Sequence, residues 1–213
     1  MNKESDSFLD DMMEYNSKCI FIKNLFWSRI ENAIKIAEIE DDDRILDIGC
    51  NTGQLLKSIR RMNQNCECYG IDVEPKITEV TIEKCILKIA DAKKLPFPDN
   101  HFSVIFVLDV LEHIEDVGLA INEINRVLKP NGSLILSGPT ETWFYRLCRF
   151  LSYRTADKNT ICEKPGFRRL EDHHLHTIYQ LEKMLLSKGF KRIKTISLPR
   201  FLPELFRITK FVK

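Results

Sequence analysis

The sequence predicts an α/β fold, a doubly wound and mostly parallel sheet with helices on both faces. Three observations carry that reading. Short apolar runs at 44–48, 68–71, 85–89, 104–108 and 133–137 have the length of buried strands. Between them lie stretches with helical spacing, the crossovers that parallel strands require. The first run enters a glycine-bearing bend, Gly49-Cys-Asn-Thr-Gly53, ahead of a helix, and open α/β sheets bind ligands at such bends.

Along the chain, Leu25, Phe26, Ile30, Ala33, Ile34 and Ala37 recur at helical spacing over 25–39. Phe8, Met12, Met13, Tyr15 and Ile20 predict a weaker helix before it, covering apolar surface. Further helices are expected at 52–62, 75–81 and 116–128, the last with Val117, Ile121, Ile124, Val127 and Leu128 on one face. Lys129-Pro-Asn-Gly132 is expected to stop that helix and turn the chain into the fifth strand. Thr177-Ile-Tyr-Gln180 is a capping-box pattern for a helix through Leu186; Gly189 closes it before a strand at 190–196. With no linker-like segment, one domain is expected, comprising N-terminal helices at 1–40, a cofactor-binding core at 41–138, an acceptor-side insertion at 139–176 and closing helix and strand elements at 177–213.

The 213 residues are 44% apolar and 30% charged, which suits a soluble globular protein. Seven scattered cysteines and no signal-peptide-like start read as reduced thiols in the cytoplasm. Cys66 and Cys68 read as core, because a zinc site would want a second pair. The longest apolar stretch, 104–111, is too short to cross a bilayer. Charge is uneven: residues 1–140 carry 16 basic and 24 acidic side chains, residues 141–213 carry 16 and 7. A basic C-terminal third suits an anionic substrate, a membrane surface or nucleic acid.

The chemistry concentrates at strand ends. Asp47 sits near the end of the first strand and can face an ammonium group. Gly49 lets backbone approach a ligand, Asn51 tolerates a left-handed conformation, and the next helix offers N-terminal amides to a carboxylate. Asp72 follows Gly53 by 19 residues, where a carboxylate can accept from both ribose hydroxyls. Asp91 closes the third strand beside Ala92 and can accept from an adenine amino group. The spacing of Gly49 and Gly53 is not that of the nicotinamide fingerprint, and the Gly-Lys-Ser/Thr ending of a phosphate loop is absent.

These residues resemble the class I S-adenosylmethionine-dependent methyltransferases, in particular the group that includes ubiquinone/menaquinone-biosynthesis-type enzymes. The resemblance spans about residues 40–198. It rests on Ile-Leu-Asp-Ile-Gly-Cys-Asn-Thr-Gly at 45–53, Gly-Ile-Asp at 70–72, Ala-Asp-Ala at 90–92, Leu-Pro-Phe-Pro-Asp-Asn-His-Phe-Ser-Val-Ile at 95–105, Asp-Val-Leu-Glu-His-Ile at 109–114 and Arg-Val-Leu-Lys-Pro-Asn-Gly at 126–132. It implies a Rossmann-like fold with an N-terminal helical extension and an insertion after the fifth strand, and S-adenosylmethionine as methyl donor. Asp47, Gly49 and Asn51, with Cys50 and Gly53, would surround the methionine portion. Asp72, beside Val73, would bind ribose, Asp91 and Ala92 would recognise adenine, and Leu108 and Asp109 would lie near the methyl group. Three departures stand out: Asn51 and Asn131 replace glycines, and Ser103 replaces an aspartate.

An acceptor hydroxyl would benefit from a base, and His113 and His174 are the candidates. The other reading of His113, and the preferred one, is a structural histidine bonded to a loop carbonyl. A metal is not expected, since Asp172, His173, His174 and His176 crowd one loop. The segment 138–171 should set specificity: Trp143, Phe144, Leu147, Cys148, Phe150 and Leu151 interleave with Arg146, Arg149 and Arg154. This stretch and residues 200–213 suit peripheral contact with an anionic membrane or a lipid-linked, anionic acceptor. Ordinary packing is the alternative, with Phe206, Ile208 and Val212 in a final antiparallel strand. Nucleic acid is set aside, because Leu108-Asp-Val-Leu-Glu112 is not the Asn/Asp-Pro-Pro-aromatic turn of amino-group methylators. The expected function is methyl transfer, at oxygen, to a small-molecule or lipid-linked acceptor by direct displacement in a water-excluded pocket. The alternative is a catalytically silent fold that serves as a binding or scaffold subunit.

Overall fold

The computed structural model describes residues 20–62, 65–147, 174–200 and 202–213. Helix α1 (Ile20–Ala37) precedes β1 (Arg44–Ile48), α2 (Gln54–Met62), β2 (Glu67–Asp72), β3 (Cys85–Ile89) and β4 (Phe102–Leu108). Then come α3 (Val117–Val127), β5 (Leu128–Pro139), α4 (Ile178–Ser187), β6 (Lys191–Leu198) and β7 (Phe206–Val212). The strands form one seven-stranded sheet in the order β3-β2-β1-β4-β5-β7-β6. Every pairing from β3 to β5 is parallel, and β7 inserts antiparallel between β5 and β6.

Side chains alternate across the central strands, so each face collects its own core. Leu46, Ile48, Ile105, Val107, Leu134 and Leu136 meet α3 and α4 through Ile121, Ile124, Leu181 and Leu185. Ile45, Val104, Phe106 and Ile135 point the other way, toward α1 and α2 through Ile30, Ala33, Leu56 and Ile59. Helices therefore cover both faces.

Several expectations are redrawn by local chemistry. The long helix ends at Val127 rather than at Asn131-Gly132. Leu128 is already extended, drawn into the sheet by its pairing with Phe102, and Pro130 biases Lys129 away from helix. Asn131 (φ 62°) instead makes a bend inside β5. The stretch expected to be helical at 75–81 is one 3-10 turn, Pro75–Glu79. Ser103 stands in for the missing aspartate by bonding the Arg44 backbone, accepting from its amide at 2.9 Å and donating to its carbonyl at 3.2 Å. Arg126 organises the 95–100 loop, donating to the Phe97 and Leu95 carbonyls and to Asp99. The capping box at Thr177 and Gln180 is present. Cys66 and Cys68 are buried, with sulfurs 3.6 Å apart.

The C-terminal stretch is not an amphipathic helix. Phe206, Ile208 and Phe211 are buried in β7, and Lys210 turns inward to the Ala37 carbonyl and Glu38. Residues 206–212 are therefore spent on the sheet, which removes this stretch from the membrane reading. Among the described residues no helix is long and apolar enough to cross a membrane. The expected helix before residue 20, and Cys148, Phe150, Leu151, Arg149, Arg154, Asp172 and His173, lie outside the described residues.

Candidate active site

Order reversal in the sheet occurs between β1 and β4, where the crossovers leave in opposite directions and open a crevice at the carboxyl ends. The β1–α2 bend lies in it. Gly49 (φ 74°), Asn51 (φ 45°) and Gly53 (φ 71°) are left-handed, so asparagine serves where a glycine is usual. The Gly49 and Cys50 amides donate to the Ile71 carbonyl at 2.8 and 3.0 Å, pinning the bend to β2. Asp72 adds a second tie: its two carboxylate oxygens accept from the amides of Asn51 (2.8 Å) and Glu74 (3.0 Å). Asp72 thus has a loop-shaping role that its spacing did not disclose.

Asp47 is buried on β1, and burial, reinforced by the charge of Asp72, holds its carboxyl well above the usual carboxylate range. A carboxyl that resists ionising alone would ionise readily beside a cation. Burial likewise pushes the Cys50 thiol up, and its sulfur packs beneath Gly70. Val73 is exposed and Ala92 buried. Asp91 lies two residues past β3 and accepts from the Lys93 amide at 2.8 Å.

Leu108 ends β4, and Asp109 follows with φ 56°. The Asp109 carboxylate pairs with Arg29, a side chain only 2% exposed on α1 whose guanidinium lies 4.2 Å from the Phe206 ring centre. Arg29 was not anticipated, yet it falls on the apolar stripe with Phe26, Ile30 and Ala33, and a lone arginine there signals a buried partner. One residue beyond Asp109, the methyl groups of Val110 press on Gly49: a Cβ on that glycine would lie inside contact with Val110 Cγ2. The β1–α2 bend and the turn after β4 are therefore one packed unit.

That turn also carries Glu112 and His113. Glu112 is 2% exposed, and among the described residues neither of its carboxylate oxygens has a hydrogen-bond partner. Burial, and next the charge of Asp109, push its carboxyl up to about 8. The Leu175 amide donates to the Glu112 carbonyl at 2.8 Å and draws the approach to α4 onto the turn. His174 then stacks edge-on against His113, ring centres 4.9 Å apart, and its Nδ1 is 2.6 Å from Glu141 Oε1. The two expected histidines are therefore brought together. Sequence reading missed Glu112, although it stands within Asp109-Val-Leu-Glu-His113, and Glu141, for which the sequence carries no signal.

A switch-point bend with acidic strand ends, beside a turn rich in acid–base groups, is the ligand-binding end of an open α/β sheet. Comparison with known proteins specifies it. Residues 46–136 match the methyltransferase domain family. The chain is 27% identical over 184 residues to the ubiquinone/menaquinone biosynthesis C-methyltransferase UbiE of Chromobacterium violaceum, covering 79% of this chain and 75% of that one. The same enzyme of Neisseria meningitidis matches at 32% over 111 residues, 48% of this chain and 45% of its own length. Among solved structures, N-methyltransferase NodS of Bradyrhizobium japonicum, in complex with S-adenosyl-L-homocysteine, superposes with TM-score 0.68 at 14% identity, covering 99% of this chain and 96% of that one. These comparisons support a class I S-adenosylmethionine-dependent methyltransferase, with a methyltransferase domain at residues 46–136.

Proposed function

We propose that this protein methylates a hydroxyl oxygen of a small-molecule or lipid-linked, anionic acceptor held over the turn after β4. The observation that carries the reading is the contact of Gly49 with Val110, since it sets the donor bend against the turn bearing Asp109, Glu112 and His113. Asp47, Gly49, Cys50, Asn51 and Gly53 surround the methionine portion of the donor. Its ammonium lies toward Asp47, where a cation relieves the cost of a buried carboxylate. Asp72 and Val73 take the ribose, Asp91 and Ala92 the adenine, and Leu108 and Asp109 line the path of the methyl group. When bound, the donor supplies a methyl on a sulfonium, already a good leaving group, so alignment and exclusion of water do much of the catalysis.

The chain's own task is to orient the acceptor and accept its charge as the hydroxyl loses its proton. His113 and His174 take that role, supported by their ring contact and by Glu141, whose Oε1 lies 2.6 Å from His174 Nδ1. The helical run directly after Glu141 exposes Trp143 (72%) and Leu147 beside Arg146, a wall suited to an amphipathic, anionic acceptor. Co-sedimentation with anionic vesicles at low salt tests that wall, and Trp143→Ala should reduce it; equal recovery of both proteins would remove the lipid side of the proposal.

The test of the reaction is calorimetric titration with S-adenosylmethionine, followed by mass spectrometry of cell extract incubated with methyl-deuterated donor. Binding and a labelled methyl ether are expected. A folded protein that binds no donor would leave only a scaffold role. A methyl on a ring carbon would refute the choice of oxygen while keeping the hydroxyl's activation, since an ionised phenol is nucleophilic at both positions.

A further inference from the structure

Of the groups around this site, Glu112 is the one that acid–base chemistry alone leaves unexplained. A carboxylate side chain 2% exposed, with both oxygens lacking a partner among the described residues, is costly unless something arrives to use it. It does not stand alone. One ligand atom each from Glu112, His113 and His174 lies within 4.8 Å of the others, and His113 is exposed, so the cluster opens to solvent. Asp109, one turn away, also has an oxygen without a partner among the described residues.

We infer that Glu112, His113 and His174 form a binding site for a divalent transition-metal ion, with an open coordination position toward the acceptor. The donor set, two imidazoles and a carboxylate, is that of open catalytic sites for zinc and neighbouring first-row ions. The outer shell is in place as well. Glu141 accepts from His174 Nδ1, which leaves Nε2 with the lone pair a metal needs and orients the ring, the arrangement in which a carboxylate supports a metal-bound histidine. Charge favours a dication: Glu112, Asp109 and Glu141 bring three carboxylates, against Arg29 and the exposed Arg146. Metal bonds of about 2.0–2.2 Å require the three ligand atoms, now within 4.8 Å of one another, to draw together around the ion.

Metal had been set aside on sequence because the histidines crowd one loop. The fold changes the premise, taking two ligands from the turn after β4 and one from the approach to α4, so the three converge from two separate segments. The inference rests on the proposed methyl transfer only for the ion's use, which is to hold the acceptor oxygen and, as a Lewis acid, to take over the charge stabilisation otherwise assigned to the two imidazoles.

The experiment uses chelator-treated full-length protein titrated with Co2+ and followed by visible absorption, with S-adenosyl-L-homocysteine binding measured on the same samples. One Co2+ per chain is expected, with ligand-field bands of a four- or five-coordinate site and no thiolate charge-transfer band. Glu112→Gln and His174→Ala should each weaken it by at least about tenfold, and Glu141→Gln by about 10–100-fold, as loss of a supporting carboxylate does. Unchanged homocysteine-product binding would show that these variants are folded. No saturable Co2+ binding, a thiolate spectrum, or affinity indifferent to Glu112→Gln and His174→Ala would overturn the inference. Product binding without cobalt binding sinks the metal site alone; cobalt binding without product binding sinks the methyl-transfer reading alone.

Discussion

Replacing Gly49 by alanine tests the contact on which the functional reading depends. Two costs are separable. A φ of 74° places an L-residue in the left-handed region, at about 1–2 kcal/mol. The new Cβ would also lie inside contact with Val110 Cγ2 and 3.4 Å from Val110 Cβ and Cγ1, an overpacking that costs about 1–3 kcal/mol. Gly49→Ala should therefore destabilise the fold by about 2–5 kcal/mol, the sum of those ranges. Val110→Ala removes the clashing methyl groups but leaves the dihedral cost. In the double variant the clash is relieved, so its destabilisation should fall short of the sum of the single effects by about 1–3 kcal/mol. Urea unfolding of the four proteins closes the cycle, and product-analogue titration on the same samples reads the donor bend. Additivity within about 0.5 kcal/mol would refute the reasoning. The bend would then not rest on the β4 turn, and the case for two reactants meeting there would lose its support.

Two further outcomes follow from the carboxylates. Asp47 is held above its usual range in the folded chain and ionises near pH 4 when unfolded, so its contribution to stability falls as pH rises through the interval between those values. Asp47→Asn should accordingly raise the melting temperature of the ligand-free protein at pH 7, with a smaller gain near pH 4, while weakening S-adenosylmethionine binding; a lower melting temperature at pH 7 would contradict this. Asp72→Ala should weaken donor binding by about 1–3 kcal/mol. It should also erase the preference for the ribose over a 2′-deoxy analogue; a preference retained in the variant would mean that Asp72 only shapes the loop through the Asn51 and Glu74 amides.

Much of this molecule is legible from local pattern. Strands buried on both faces read as short apolar runs, Asn51 and Asn131 adopt the positive φ that asparagine tolerates, and Thr177 with Gln180 caps α4. These are properties of neighbours in the chain, where sequence spacing is spatial spacing. Boundaries fared less well where a distant strand competed: Leu128 left the helical pattern because Phe102 offers it a partner in the sheet. The C-terminal residues read as an amphipathic face until β5 and β6 are seen on either side of them.

The sequence by itself determined the parallel core strands, the glycine-bearing bend and the acidic strand ends, because each is encoded within a few residues of a turn. Only the tertiary structure decided what meets that bend. Arg29 reaches Asp109 across 80 positions and Glu141 reaches His174 across 33, while Glu112 is enclosed between Gly138 and the approach to α4. Burial and pairing of charge depend on which elements pack together, so the cluster of Glu112, His113, Glu141 and His174 exists only once the sheet has brought the ends of β4 and β5 under the start of α4.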